Sequence, residues 1–310
     1  MKIFIAGGTG AIGSYAVRAL VQAGHEVTST ARTAAKAEQL KQDGARGLNV
    51  DVYDSAALRS TIHNSDVVIR LTTRIPPLSK MSKLSSWKET NHLRMEGATA
   101  LVDACIAERI PIYVSESIGF LYADSGSEWI NEQSAIDDEH HHPILAAALE
   151  SEHQAQRVVE YGGKPVVLRF GALYGPHDTT TRQMALWIRR WMMPRIGSAR
   201  NYMSALFLED AGSAVAASLS APAGVYNIVD NEPVTLRDYL TTMARALHAP
   251  RPMPIPGVLG PILFGAPWRY FSRSLRLSNA RFREATGWNP ATGNTRDGWQ
   301  RIVSELSKPA

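Results

Sequence analysis

Several features that indicate other classes of protein are missing from this chain of 310 residues. It has one cysteine, Cys105, so no disulfide can form within it, and we expect the thiol to be a small buried apolar group. No apolar run reaches the roughly 18 residues that span a membrane. The apolar stretch before the first glycines is too short for a signal peptide. We therefore expect a cytoplasmic protein without integral membrane association.

Long basic runs with interleaved aromatic residues are also absent, and the net charge is only +4, so we expect no nucleic-acid partner. The hydrophobic fraction of 45% and the charged fraction of 20% are ordinary for globular proteins and suffice for a sizeable core. The run Asp137–His142 ends in three histidines, but no spaced ligands accompany it, so we predict a solvated loop and no metal. The expected partner is a small-molecule substrate, and a homodimer is left open.

The first residues carry the clearest pattern in the chain. An apolar run at residues 3–6 leads into Gly7-Gly-Thr-Gly-Ala-Ile-Gly13, and helical spacing continues from Ile12 to Leu20. Glycines between a strand and a helix permit a tight turn, a close approach of backbone to a pyrophosphate, and phosphate binding at the helix N-terminus. The pattern therefore predicts a dinucleotide site. The residues expected to contact the cofactor here are Gly7, Thr9, Gly10, Ala11, Ile12 and Gly13.

Strands and helices alternate along the first half of the chain, which predicts a doubly wound parallel α/β sheet of the Rossmann type. Predicted strands cover residues 25–30, 47–50, 66–71, 110–115 and 165–169, and predicted helices cover 34–42, 91–108 and 144–161. The alternation stops near residue 175. We therefore expect a cofactor-binding domain at residues 1–175 and a smaller, interleaved substrate-binding part at residues 176–310, with a helix at 183–191 and a strand at 224–229.

The end of the second predicted strand indicates which dinucleotide is bound. NAD sites in this fold place an acid there for the ribose hydroxyls, whereas an arginine accommodates the extra phosphate of NADP. Here the strand ends without an acid and is followed by Arg32, whose guanidinium suits a phosphate. The sequence therefore predicts NADP. Further contacts are expected from Asp51 and Val52 at the adenine, and from Leu71, Thr72 and Thr73 near the nicotinamide side.

These motifs resemble those of atypical members of the short-chain dehydrogenase/reductase superfamily, close to its NAD(P)-dependent epimerase/dehydratase branch. Besides the glycine turn, the matching pieces are Asp51, Asp66–Leu71, Asn91, Tyr113–Ser117, Val167–Gly171, Leu173–Pro176, Glu209–Asp210 and Gly287–Pro290. They span nearly the whole chain. The resemblance implies the Rossmann fold and a bound dinucleotide, but it is less specific for the reaction.

The resemblance also implies a catalytic Tyr-x-x-x-Lys pair, in which the lysine lowers the pKa of the tyrosine, and a serine on the preceding strand. Ser117 fits the serine. The pair is absent, because none of the ten tyrosines has a lysine four residues later. If Glu152 is the acid that follows the pair, Ile144 and Ala148 occupy its two positions, and neither transfers a proton.

Without the pair, catalysis is expected to be slow or to require a substitute proton donor. We select Tyr122, which follows Ser117 by five residues in the loop after the strand, and rank Glu116 and His177 below it. The expected function is an NADP-dependent oxidoreductase or epimerase-like enzyme acting on a small, partly apolar carbonyl or hydroxyl substrate. Two alternatives remain open, namely a non-redox isomerase, lyase or cyclase on the same scaffold, and an NADP(H) sensor without catalysis.

Two further stretches admit more than one interpretation. The arginines between residues 182 and 200 suit either an anionic ligand or a solvated basic face. The segment Pro254–Phe271 combines prolines with short apolar runs, and we predict a hydrophobic wall or lid over the substrate pocket in preference to a membrane contact.

Overall fold

A computed structural model describes residues 1–137, 143–264, 268 and 272–307 of the chain. The strands are β1 (Lys2–Ala6), β2 (Glu26–Thr30), β3 (Arg46–Leu48), β4 (Val67–Arg70), β5 (Ile112–Ile118), β6 (Trp129–Ile130), β7 (Lys164–Phe170), β8 (Ala172–Tyr174), β9 (Arg195–Ile196), β10 (Tyr202–Met203), β11 (Ala205–Phe207), β12 (Gly224–Ile228), β13 (Val234–Thr235), β14 (Pro254–Ile255) and β15 (Arg276–Leu277). The helices are α1 (Gly13–Gln22), α2 (Ala34–Gln42), α3 (Ser55–Ile62), α4 (Lys88–Glu108), α5 (Pro143–Gln156), α6 (Thr179–Arg189), α7 (Leu208–Ala217), α8 (Leu236–Ala246), α9 (Gly260–Phe264), α10 (Ala280–Thr286) and α11 (Thr295–Leu306).

The main sheet has seven strands in the order β12-β7-β5-β4-β1-β2-β3, and every neighbouring pair is parallel. The chain leaves β1 toward β2 and β3, then crosses to the other side of β1 for β4. In doubly wound sheets, ligands bind beyond the carboxyl ends of the strands at such a reversal. The predicted α/β Rossmann fold is confirmed, and the switch point lies at the glycine turn after β1.

Local sequence explains several boundaries. The Asp54 carboxylate accepts the N–H groups of Ala56 and Ala57, each at 3.0 Å, and so caps α3. The Thr235 hydroxyl caps α8 in the same way by accepting the N–H of Asp238 at 3.1 Å. The predicted bounds 183–191 are wrong for α6, because Asp178 caps the helix, which begins four residues earlier and ends at Arg189. The strand predicted at 110–115 is also too short, since β5 continues to Ile118.

Alternate residues of the central strands face two separate apolar layers. Ile3 and Ile5 of β1 pack in the layer that contains α1, whereas Phe4 packs with α3 and α4 on the other face. A third apolar cluster around Tyr174 and Trp299 lies under α6, α8 and α11. Within the described part of the chain, no helix is both long enough and apolar enough to cross a bilayer.

Candidate cofactor and active site

The turn after β1 is built so tightly that side chains are excluded from it. Gly7 has φ +100°, and a Cβ at Gly13 would lie 2.1 Å from the Gly7 carbonyl oxygen. A Cβ at Gly8 would lie 2.3 Å from Oγ of Ser29 on β2. These contacts involve neighbouring backbone or a buried side chain, so the turn requires glycine at these positions. The close packing brings the N-terminus of α1 directly over the end of β1.

The outer part of this turn is available to a ligand. The N–H groups of Gly7 and Gly8 already donate to Thr30 Oγ1 and Ser29 Oγ, each at 3.0 Å. Gly10 and Ala11 form the exposed tip, Thr9 is half-buried, and Ile12 and Gly13 lead into α1. A phosphate would therefore be held by the tip of the turn and the N-terminus of α1, as in other dinucleotide sites.

The other predicted cofactor residues follow the carboxyl ends of β2, β3 and β4, the strands on either side of β1. Arg32 lies exposed just beyond β2, and its side chain makes no hydrogen bond or ion pair with the described residues. Asp51 is exposed and accepts the N–H of Tyr53 at 3.0 Å, while Val52 beside it is half-buried. Leu71 is buried and abuts Gly7, and Thr72 and Thr73 follow it, half-buried, at the end of β4. This cradle fits a dinucleotide.

Ser117 and Tyr122, the predicted catalytic residues, meet in one buried polar network at the carboxyl ends of β5 and β7. Ser117 Oγ donates to Glu152 Oε1 at 2.5 Å. Arg169 donates to both oxygens of that carboxylate, from Nε at 2.8 Å and from Nη2 at 2.7 Å. Its Nη1 also donates to the Tyr122 hydroxyl at 2.8 Å, and that hydroxyl donates to Asn227 Oδ1 at 2.7 Å. The network, which we call the Glu152–Arg169 network, thus connects both predicted residues.

The electrostatics of Tyr122 depend on this arginine. Burial raises the pKa of the Tyr122 phenol, and the neighbouring Arg169 guanidinium opposes that rise. Burial by itself would lower the pKa of Arg169, but the hydrogen bonds and the charge of Glu152 raise it overall. A cation therefore donates to the tyrosine oxygen and partly offsets the rise of its pKa that burial causes.

The remaining candidates lie in different surroundings. On α5, Ile144 and Ala148 share a helix face with Glu152, so this face presents two apolar side chains followed by the buried acid. His177 is exposed, with Nδ1 3.4 Å from Arg182 Nη2. Among the described residues no group of three His, Cys, Asp or Glu side chains could hold a metal ion. Residues 138–142, which include the histidine run, lie outside the described residues.

Glu116 belongs to a second buried ion cluster beside the first. Its carboxylate accepts from Arg94 Nη2 at 2.8 Å and lies 3.4 Å from Arg70 Nη2. Both arginines are at most 1% exposed, and within the described residues Nε and Nη1 of Arg94 have no hydrogen-bond partner. Two guanidinium groups and one carboxylate leave one surplus positive charge at the ends of β4 and β5. Such a charge favours a negative group nearby.

The sequence interpretation assigned no role to the arginines of these two clusters. The sequence does contain an indication of these clusters, because Arg70 and Arg169 each interrupt an apolar strand that is buried on both faces. A charge in such a strand requires a partner, since an isolated buried charge is strongly unfavourable. The identity of the partners, Glu116 and Glu152, depends on the tertiary arrangement of β4, β5, β7 and α5.

Comparisons with known proteins agree with this geometry. The model of the NAD dependent epimerase/dehydratase family matches residues 3–229. A 3-diazoavenalumate denitrifying reductase from Streptomyces sp is 31% identical over 310 residues, covering 97% of this chain and 100% of that protein. The epimerase family protein YfhF from Bacillus subtilis is 26% identical over 265 residues, covering 83% of each chain.

Solved structures resemble the whole chain in fold. Human epimerase family protein SDR39U1, crystallised with NADPH, has a TM-score of 0.79 at 21% identity and covers 99% of this chain and 100% of its own. The Thermus thermophilus UDP-glucose 4-epimerase in complex with NAD has a TM-score of 0.76 at 23% identity, with 99% of each chain covered. At these identities the resemblance establishes the fold.

Proposed function

Since the chain belongs to the NAD dependent epimerase/dehydratase family, we propose that it is an NADP-dependent oxidoreductase acting on a small, partly apolar carbonyl or hydroxyl substrate. One observation carries the proposal. The Streptomyces relative, which is 31% identical and matches 97% of this chain, is a reductase by name. When bound, a nicotinamide cofactor supplies or accepts a hydride. The protein residues then bind the cofactor, orient the substrate and manage the proton.

NADP is proposed over NAD because of Arg32. Its exposed guanidinium is not engaged by any described residue and follows the strand end where NAD sites carry an acid. The other proposed cofactor contacts are Gly7, Thr9, Gly10, Ala11, Ile12, Gly13, Asp51, Val52, Leu71, Thr72 and Thr73.

The cofactor proposal is tested by titrating the protein with NADPH and NADH and following nucleotide fluorescence. A hydrogen bond to a charged group is worth about 1.5–3 kcal/mol, so Arg32→Glu should weaken NADPH binding by roughly ten-fold or more and leave NADH binding nearly unchanged. Arg296→Glu, an exposed arginine on α11, is the matched control and should alter neither affinity. Equal affinity of the wild-type protein for both nucleotides would refute the preference.

Ser117 and Tyr122 are proposed as the catalytic residues, with Ser117 orienting the substrate oxygen and Tyr122, or a water, supplying the proton. Arg169 supports this role because it donates to the Tyr122 oxygen and stabilises the deprotonated phenol. Proton donation by Tyr122 requires its bond to Asn227 to open. That requirement makes proton transfer slower than from a free hydroxyl.

The catalytic assignment is tested by NADPH oxidation against a panel of small aromatic and aliphatic aldehydes and ketones. Tyr122→Phe should lower kcat/KM by about 10²-fold or more, with NADPH affinity retained. Ser117→Ala should also lower kcat/KM. If neither variant changes the turnover of a substrate that the wild-type protein reduces, the assignment of these residues is wrong.

One observation favours a second candidate, an NADP(H) sensor: both hydroxyl protons of the network are directed to protein acceptors. The sequence expectation points the same way, since Ile144 and Ala148 occupy the positions of the proton-transfer pair if Glu152 is the acid that follows it. A sensor would bind NADPH with ordinary affinity and turn over no member of the panel. The remaining alternative, a non-redox isomerase, lyase or cyclase, would convert a substrate without consuming NADPH.

A further inference from the structure

Exposed apolar side chains are concentrated in one small region of the surface. Five large apolar side chains there are more than half exposed. Trp191 and Met192 precede β9, Met253 precedes β14, and Val258 and Ile262 follow β14. Val258 and Ile262 are the most exposed of these, at 78% and 77%. Soluble domains rarely expose large apolar side chains in a group unless the surface binds something.

Backbone pairing joins the two segments that carry these side chains. Strands β9 and β14 are parallel, with Arg195 opposite Pro254 and Ile196 opposite Ile255. The Arg195 N–H donates to the Met253 carbonyl at 2.8 Å on the side of Trp191 and Met192, and the Gly197 N–H donates to the Ile255 carbonyl at 2.9 Å on the side of Val258 and Ile262. We call the exposed apolar side chains of these paired segments the apolar cap: Trp191, Met192, Met253, Val258, Leu259, Ile262 and Leu263.

The side chain of Trp191 is exposed because of where it lies in the backbone. Trp191 follows the end of α6 in a left-handed conformation with φ +58°; its N–H donates to the Ile188 carbonyl at 3.2 Å, and the N–H of Met192 donates to the Trp187 carbonyl at 2.8 Å. This helix end leaves the indole ring 63% exposed. Tryptophan is enriched where protein meets the interface of a membrane.

The charged residues next to the apolar cap in sequence are arginines. The stretches 179–208 and 239–283, which contain its members, have five and seven arginines and no aspartate or glutamate. Arg189, Arg190, Arg200 and Arg251 are exposed, and their side chains make no ion pair or hydrogen bond with the described residues. Exposed apolar side chains flanked in sequence by such arginines match the physical requirements for binding an anionic lipid surface.

From these observations we propose that the apolar cap docks the protein peripherally on a bilayer that contains anionic phospholipid. Trp191, Val258 and Ile262 enter the interfacial layer, and the surrounding arginines contact lipid phosphates. A second copy of the chain is the poorer occupant, because a two-fold interface would place the same arginines against one another. The proposal does not depend on the reaction that the protein catalyses.

Co-sedimentation of the full chain with vesicles tests the proposal. We expect binding to vesicles of phosphatidylcholine with phosphatidylglycerol, weaker binding to phosphatidylcholine alone, and release by salt. The double variant Val258→Ser/Ile262→Ser should abolish binding, whereas Val159→Ser, a matched exposed valine in residues 157–161, should retain it. Absence of binding to anionic vesicles by the wild-type protein would overturn the proposal.

A charge series separates binding to anionic lipid from binding to any apolar surface and from self-association. Each arginine near an anionic surface contributes about five-fold to partitioning, so Arg190→Glu/Arg251→Glu should lower the partition coefficient by roughly 25-fold or more. Arg296→Glu is the control and should have no such effect. Equal, salt-independent binding to neutral vesicles would overturn the anionic-lipid assignment. The proposal would also be overturned if the wild-type protein self-associated without binding vesicles and Val258→Ser/Ile262→Ser abolished that self-association. A second copy of the chain would then be the partner of the apolar cap.

Discussion

The Glu152–Arg169 network provides the sharpest test of what stabilises the candidate site. Glu152 and Arg169 are 8% and 6% exposed, and the carboxylate accepts three hydrogen bonds, two from Arg169 and one from Ser117. Glu152→Gln keeps the size of the side chain but removes its charge. The buried guanidinium then loses its counter-ion, and the new amide N–H₂ cannot accept from it.

Removing one partner of a buried ion pair costs about 3–5 kcal/mol. Because the glutamine carbonyl retains one acceptor, we expect Glu152→Gln to lower the free energy of unfolding by about 3 kcal/mol. The measurement is urea unfolding followed by far-ultraviolet circular dichroism. The matched control is Asp103→Asn, which breaks an ion pair of similar length, 2.8 Å, between half-exposed Asp103 and Arg157. That change should cost less than about 1 kcal/mol.

A double-mutant cycle isolates the pairwise contribution. Arg169→Met alone leaves the Glu152 carboxylate buried without its cation, whereas Glu152→Gln/Arg169→Met removes both charges. The double variant should therefore be destabilised by less than the sum of the single variants, with a difference of about 2 kcal/mol or more. Additive effects, or equal costs for Glu152→Gln and Asp103→Asn, would show that the buried pair has no special role in stability.

Three other predictions concern single residues. Gly13→Ala should destabilise the protein by about 1–3 kcal/mol and weaken NADPH binding, because the new Cβ would clash with the backbone of Gly7. Gly10→Ala should have a smaller effect, because the nearest atom to its Cβ is 3.2 Å away. Unfolding curves and nucleotide titration compare the two variants. Burial raises the pKa of Asp230 to about 8. Between about pH 4 and pH 8 this carboxyl is therefore protonated in the folded protein and ionised in the unfolded chain. Because the folded protein binds the extra proton, its stability falls as the pH rises through that range. Asp230→Asn should therefore gain stability relative to wild type by up to about 1.4 kcal/mol per pH unit in that range; a constant difference between pH 4 and pH 8 would contradict the assignment. Burial also raises the pKa of the Cys105 thiol, so iodoacetamide should label Cys105 only under unfolding conditions, and rapid labelling of the native protein would disprove its burial.

Much of the fold could be predicted from local sequence. The glycine turn, the Asp54 and Thr235 caps and the alternation of strands and helices are encoded within a few residues of where they act. The predicted bounds of α6 are wrong at both ends. The predicted helix extends too far because the apolar spacing continues past Arg189, and it begins too late because apolar spacing does not reveal the cap at Asp178. Short-range patterns thus locate elements well and their ends less well.

The site could be predicted only in part, because its chemistry depends on partners distant in sequence. Ser117 lies on the expected strand, but its acceptor, Glu152, comes 35 residues later. The Tyr122 hydroxyl bonds to Asn227, 105 residues away, and Arg94 reaches Glu116 across 22 residues. No periodicity or spacing rule connects such positions. The fold as a whole determines which charges meet.

The position of β1 in the middle of the sheet has a consequence for how the protein matures during synthesis. β1 emerges first, but it pairs with both β2 and β4, and Gly7 takes its final place against Leu71. The contact of the glycine turn with β4 therefore becomes available once residue 71 has been made, but α1, which follows the turn, packs closely against Gly212 of α7. The Tyr122 hydroxyl gains its acceptor only with Asn227 in β12. The candidate site thus depends on residues from β1 to β12, and it can be complete only when most of the chain has been synthesised.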